Sequence, residues 1–168
     1  RQQRYADSFQ WLADAGVALP CYNVTEPQPP LRLNEKHNLF KLFQGDTGLL
    51  CAACMENVQF ALLHGDLQIN MGSILENVVA QELKAHGFQL NYYDGKKTGE
   101  IDFVLQHGTE IIPVEAKGGE DKSAPSFKRY IQDKHPAHAL RFSERGYRKD
   151  GEITNLPLYL ARKTKELL

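Results

Sequence analysis

Apolar and polar residues alternate along GEIDFVLQHGTEIIPVEAK, residues 99–117, with the period of half-buried β-strands rather than of a helix. The first half places one apolar row on one face, and the second half does the same. These rows are Ile101, Phe103, Leu105 and Ile112, Val114, Ala116. The residues 107–109, His-Gly-Thr, carry a turn signal between them. The pattern therefore predicts a hairpin of two strands, residues 100–106 and 110–117.

The register of this hairpin follows from requiring both apolar rows on one face, because a slip of one residue moves every side chain to the opposite face. A two-residue loop at 108–109 meets the requirement. It places Asp102 directly opposite Glu115, with Cβ atoms roughly 5 Å apart. Lys117 then lies one step farther along the same face as Glu115.

Two opposed carboxylates repel unless a positive charge neutralises them. A hard divalent cation with oxygen ligands does this in many proteins. The hairpin therefore predicts a metal site formed by Asp102 and Glu115, with Lys117 beside it. An ordinary solvated sheet face, on which Lys117 balances Glu115, is the alternative interpretation, since antiparallel sheets commonly carry charges on an outer face.

The hydrophobic pattern also predicts the elements around the hairpin. Apolar residues at helical spacing end at Gly16, a Pro-rich connector follows, and a strand (NLFKLF) and a helix (DTGLLCAACM, capped by Asp46 or Thr47) come next. Farther along we expect a helix over 72–86 closed by Gly87, strands over 88–93 and 137–142, a helix over 125–134, and a final strand with a short helix over 156–168. We therefore divide the chain into a mostly helical N-terminal extension, residues 1–70, and a domain of residues 71–168. The first residue is not Met and lies within the first predicted helix, so we expect a fragment of a longer protein.

The helix over 72–86 carries a third acid with two open roles. Glu76 lies at the flank of the apolar stripe, where it could face the carboxylates of the hairpin. Ser73 and Glu76 also have the spacing of a capping box, in which the Glu side chain returns to the helix N-terminus. Glu82 is a weaker alternative for the third acid.

Charge and cysteine content narrow the class of protein. The formal net charge of the 168 residues is -1, yet residues 122–149 hold eight Lys or Arg against two acids. Such a basic surface suits a polyanion such as DNA, although a solvated run of charges is the more common explanation. The three cysteines form no disulfide framework, and the CxxC at 51–54 is expected to be a pair of buried thiols. No apolar run spans a membrane and no signal peptide is evident, so we expect a cytoplasmic protein without a membrane partner.

The order helix with Glu76, strand, strand with Asp102, strand with Glu115-x-Lys117, helix, strand resembles the restriction-endonuclease-like PD-(D/E)XK nuclease superfamily. The resemblance covers about residues 72–142 and departs from the signature at Ile101, where proline is frequent. It implies an α/β fold with a mixed central sheet flanked by helices, in the core order αβββαβ.

A narrower resemblance rests on the segments LFKLFQGDTGLL, GSILENVVAQEL, EIDFVL and IPVEAKGG. They are similar to the C-terminal domain of unknown function of prokaryotic AAA+-type P-loop ATPases, over about Phe40 to Phe142. This resemblance implies an upstream ATPase domain as a partner in the full-length protein. The 168 residues themselves contain no GxxxxGK[ST] motif.

Together the resemblances imply Mg²⁺-dependent (or Mn²⁺-dependent) hydrolysis of phosphodiester bonds in DNA. The ion would be held by Asp102, Glu115, the Ala116 carbonyl and Glu76, and Lys117 would act on the attacking water or the transition state. The residues expected to contact DNA phosphates are Lys122, Lys128 and Arg129. A homo-oligomer is a further expectation, because cutting both strands commonly uses a dimer. The alternative is a catalytically inactive DNA-binding, regulatory or docking module of the ATPase, since fold does not determine function.

Overall fold

The fold is described from a computed structural model. The residues that it describes are 2–55, 60, 64, 71–95, 98–118 and 124–168, without the side chains of 2–7 and 55. The helices among them are α1 (Gln2–Asp14), α2 (Thr47–Met55), α3 (Gly72–Ala85), α4 (Pro125–Lys134) and α5 (Thr164–Leu167), with 3₁₀ helices at Leu31–Asn34 and Leu158–Lys163. The strands are β1 (Ala18–Val24), β2 (Glu35–Gln44), β3 (Asn91–Gly95), β4 (Gly99–Ile101), β5 (Phe103–His107), β6 (Glu110–Lys117), β7 (Ala139–Ser143), β8 (Arg148–Asp150) and β9 (Ile153–Pro157).

The strands form two mixed sheets. One has the order β2-β1-β3-β4, with β1 antiparallel to β2 and parallel to β3. The other has the order β5-β6-β7-β9-β8, with an antiparallel pair at each end and parallel pairing of β6 with β7 and of β7 with β9. With helices packed on these sheets, the predicted α/β class is confirmed.

Helix α3 covers one side of the core because its apolar residues recur every four positions. Leu75, Val79 and Leu83 are all buried on that stripe. The helix ends as predicted at Gly87, which has a φ of 82° that glycine adopts without strain. The Gly87 and Phe88 amides donate back to the carbonyls of Lys84 and Leu83, at 2.9 and 3.0 Å, which is a Schellman ending.

The hairpin has the predicted register and loop. Phe103 pairs with Val114, Leu105 with Ile112, and the ladder ends at the pair of His107 and Glu110. Two residues, 108 and 109, close the turn. Asp102 and Glu115 are the next positions in this register, just beyond the pair of Phe103 and Val114.

The strand predicted over 100–106 is divided, and this is the main difference around the hairpin. Asp102 lies at a bend between β4, which pairs with β3, and β5, which pairs with β6. Ile101 and Val104 consequently pack in the same cluster of buried residues, against α4, although uninterrupted alternation would separate them. The bend therefore joins the two sheets at Asp102.

The N-terminal extension contributes strands as well as helices. β1 was not predicted, and it lies inside its sheet between β2 and β3. β8 was not predicted either, and it is a short strand of three exposed residues. The helix predicted at 46–55 begins at Thr47, where Asp46 Oδ1 accepts the Leu49 amide at 2.9 Å, so Asp46 is the cap.

Candidate metal centre

Asp102 projects a buried carboxylate from the bend between the two sheets. The residue is 8% exposed, and its Oδ2 accepts a hydrogen bond from the Ala116 amide at 2.9 Å. The side chain thereby satisfies a buried backbone donor at the point where the β5–β6 ladder stops. Folding places this carboxylate against the end of β6, the strand that carries Glu115 and Lys117.

Glu115 lies near the end of β6 with its carboxylate turned inward, and the residue is 4% exposed. Its Oε1 accepts from Lys117 Nζ at 2.7 Å, and the Lys117 side chain lies at the partly exposed edge. Its Oε2 is buried and has no hydrogen-bond partner among the described residues. A buried carboxylate oxygen without a donor is costly, and it is an available ligand for a cation.

The two carboxylates lie close enough to perturb each other. Burial, followed by the charge of Asp102, raises the pKa of Glu115 to about 7 against the opposing effect of Lys117. Burial also raises the pKa of Asp102, although the hydrogen bond from Ala116 and the charge of Lys117 oppose the change. Both groups are buried, so the alternative of a solvated sheet face does not fit this pair.

Glu76 adopts the inward orientation rather than the capping box. Helix α3 begins after Met71, so Met71 rather than Ser73 occupies the N-cap position that a capping box would require. Glu76 Oε2 lies 3.9 Å from Lys41 Nζ, and burial and the charge of Asp102 raise the Glu76 pKa. Glu82 lies elsewhere and pairs with His86, at 3.8 Å between Oε2 and Nδ1.

Lys41 and Glu100 belong to the same charged group, and the sequence reasoning missed both. Lys41 Nζ contacts the Glu100 carboxylate and lies 5.2 Å from the centre of the Tyr92 ring. Burial lowers the Lys41 pKa, but the hydrogen bond and charge of Glu100 outweigh it, and the net pKa is raised. Lys41 could have been found from the sequence, because it is the one cation in the apolar segment NLFKLF, and a charge that is buried in a strand needs a partner.

Two of the three residues predicted to contact DNA phosphates are described, and both lie on α4. Lys128 and Arg129 are exposed on α4, whose opposite side, with Phe127 and Tyr130, is buried. Arg129 Nε also donates to the Pro125 carbonyl at 3.4 Å. Lys122 lies outside the described residues.

The acidic side chains offer few ligands for a divalent ion. Within the described residues, no group of three Asp, Glu, His or Cys side chains is arranged to hold a metal. Magnesium, however, commonly keeps several waters and uses only one or two protein carboxylates. Asp102 and the unpartnered Oε2 of Glu115 match that smaller requirement, and Ala116 follows Glu115 directly in sequence.

The cysteines are free thiols and differ in exposure. Cys21 is buried, and burial raises its pKa strongly. In the CxxC segment Cys51 is half-buried and Cys54 is exposed, so the expected buried pair is wrong for Cys54.

Comparison with known proteins gives one match. The family model described as "Domain of unknown function (DUF4143)" matches residues 71–160, which is more than half of the chain. Neither the curated proteins nor the solved structures contain a significant match. Among the described residues, no helix has the length and apolar character needed to cross a membrane.

Proposed function

The chain belongs to the DUF4143 family of domains of unknown function, and we propose that it hydrolyses phosphodiester bonds in DNA with Mg²⁺ or Mn²⁺. The reaction would take place at its acidic centre, the group formed by Glu76, Glu100, Asp102 and Glu115. The observation that carries this proposal is the buried pair of Asp102 and Glu115, with a carboxylate oxygen lacking a donor and Lys117 at its edge. The order of elements from α3 to β7 supports placing the domain in the PD-(D/E)XK nuclease superfamily.

Asp102, Glu115 and the Ala116 carbonyl would hold the ion, and Glu76 would face it from α3. When bound, the ion supplies Lewis acidity that lowers the pKa of a water and neutralises charge on the phosphate. Ionising two opposed, buried carboxylates is costly without a cation. A bound divalent ion would make their ionisation favourable.

Lys117 would act on the reacting groups, and the ion pair that holds its ammonium to Glu115 at the partly exposed edge of the site supports this role. From there it can donate a hydrogen bond to the attacking water or to a phosphate oxygen, and so stabilise the negative charge that develops. Lys128 and Arg129 would contact backbone phosphates from α4, which gives affinity that depends on salt and little on sequence.

The test is cleavage of plasmid, branched and single-stranded DNA by the full chain with Mg²⁺ or Mn²⁺. We expect wild-type cleavage that EDTA abolishes and that Lys117→Ala lowers by about a hundredfold or more. Lys163→Ala is the matched control, because Lys163 is an exposed lysine paired with Glu166 in the C-terminal segment. Cleavage that is absent in the wild type, or equal in Lys117→Ala, contradicts the proposal.

A second candidate is a non-catalytic DNA-binding, regulatory or docking module of an upstream ATPase. The absence of a three-ligand metal group among the described residues favours it. DNA binding by the wild type without cleavage, and without any Mn²⁺ effect on thermal stability, would support this candidate over the nuclease.

A further inference from the structure

One cation in the acidic centre comes from outside the matched family region. Lys41 is on β2, whereas the family match begins at residue 71. Its side chain is 24% exposed, and its ammonium lies between Glu76 of α3 and Glu100 of β4. Three elements that are far apart in sequence therefore converge on this ammonium.

The charges around Lys41 are predominantly negative. Glu100 contacts the ammonium directly, Glu76 Oε2 lies at 3.9 Å, and Asp102 acts on it electrostatically. The same Asp102 also raises the pKa values of Glu76 and Glu115. Lys41 therefore partly neutralises the cluster of carboxylates that is expected to hold a divalent ion.

An ammonium and a divalent ion compete in such a group. Both are stabilised by the same carboxylates, and each repels the other across a partly buried region where charges are weakly screened. An ion bound by Asp102 and Glu115 would gain affinity if the neighbouring ammonium were absent. In the ion-free protein, by contrast, removal of the ammonium leaves the carboxylates without compensation.

We propose that Lys41 is the built-in counter-cation of the acidic centre, which neutralises Glu76 and Glu100 in the ion-free protein and opposes a divalent ion at Asp102 and Glu115. This inference rests on the metal site of the proposed function. It also gives the N-terminal extension a role at that site, because β2 supplies the cation. Lys41 is a positioning residue, since it acts through carboxylates rather than on the substrate.

The test compares Mn²⁺ binding by the full chain and its Lys41→Met and Lys41→Arg variants without DNA, using electron paramagnetic resonance of free Mn²⁺. We expect Lys41→Met to bind Mn²⁺ about tenfold or more tightly than the wild type, since one repelling charge is removed. In EDTA the same variant should melt at a lower temperature. Lys41→Arg keeps the charge, so its Mn²⁺ affinity and its melting temperature in EDTA should both be close to those of the wild type.

The matched control is Lys36→Met, an exposed lysine on the same strand, which should leave Mn²⁺ affinity unchanged. Unchanged or weaker Mn²⁺ binding by a folded Lys41→Met overturns the inference and leaves the metal site standing. Absence of Mn²⁺ binding in both the wild type and Lys41→Met overturns the inference and the metal-dependent reaction together.

A second measurement uses only the wild type, so it does not depend on whether a variant folds. Mg²⁺ is titrated while the Nζ resonances of the lysines are followed by nuclear magnetic resonance. We expect the Lys41 signal to shift along the saturation curve and the Lys36 signal to stay in place. A Lys41 signal that does not move at saturating Mg²⁺ overturns the inference.

Discussion

Replacing Glu115 by Gln should make the ion-free protein more stable at alkaline pH than the wild type. The carboxylate is buried at 4% exposure, and burial together with the charge of Asp102 raises its pKa from 4.5 to about 7. Gln has nearly the same shape and carries no charge, so it removes the cost of ionisation without leaving a cavity.

Proton linkage gives the sign and the size of the change in unfolding free energy with pH. Between the unfolded pKa of 4.5 and the folded pKa of about 7, the folded state binds the proton and the unfolded state does not. The contribution of Glu115 to the stability of the wild type is therefore fully present below pH 4.5. It falls as the pH rises through this window and is smallest above pH 7. From about pH 5 to about pH 8 the loss attributable to Glu115 is on the order of 2 to 3 kcal/mol.

The assay is urea unfolding of the wild type and Glu115→Gln in EDTA at both pH values. We expect the stability difference, variant minus wild type, to grow by roughly 2 to 3 kcal/mol from the lower to the higher pH. Glu26→Gln replaces an exposed acid and serves as the matched control, whose stability should stay within about 0.5 kcal/mol of the wild type.

A difference between wild type and Glu115→Gln that is flat with pH, or that shrinks as pH rises, would contradict this prediction. Two nearby cations lower the Glu115 pKa: Lys117, and Arg141, which pairs with Glu115 across β6 and β7. A flat difference would mean that these two cations fully compensate the Glu115 charge in the folded protein. In that case the carboxylate would be an ordinary ion-pair partner, and the electrostatic reason to expect a divalent ion would disappear.

Three further outcomes are expected. Asp102→Asn keeps an oxygen acceptor for the Ala116 amide but removes a charge, so the variant should be as stable as the wild type in EDTA or more stable. It should not gain melting temperature on adding Mn²⁺, whereas the wild type should. Equal Mn²⁺ shifts in both proteins would exclude Asp102 as a ligand. Deleting residues 1–30 removes β1 from the inside of its sheet and should eliminate cooperative unfolding by urea, whereas a protein lacking residues 1–16 should still fold and bind Mn²⁺. The double variant Lys128→Gln, Arg129→Gln should weaken DNA binding about equally across sequences and reduce its salt slope by about 2; an unchanged slope in a binding titration would remove these residues from the DNA surface.

Local pattern was sufficient for the hairpin and the long helix. Side chains alternate strictly in a strand, so a buried face permits only one register, and the alternation over 99–117 predicted the pairing of Phe103 with Val114. The apolar stripe of α3 and the closing Gly87 are likewise local signals, since a period and a positive φ depend on neighbouring residues. These features carried the prediction of where Asp102, Glu115 and Lys117 would lie.

The remaining features depended on contacts between residues distant in sequence. The bend at Asp102 arises because β4 pairs with β3 while β5 pairs with β6, and the alternation of this segment contains no information about which strand each half will join. Lys41 meets Glu76 and Glu100 only because β2, α3 and β4 are brought together across 59 residues. The alternating pattern was enough to predict two opposed carboxylates. How deeply they are buried and which cation accompanies them depends on packing between distant elements, because burial and ion pairing do not follow from local conformation.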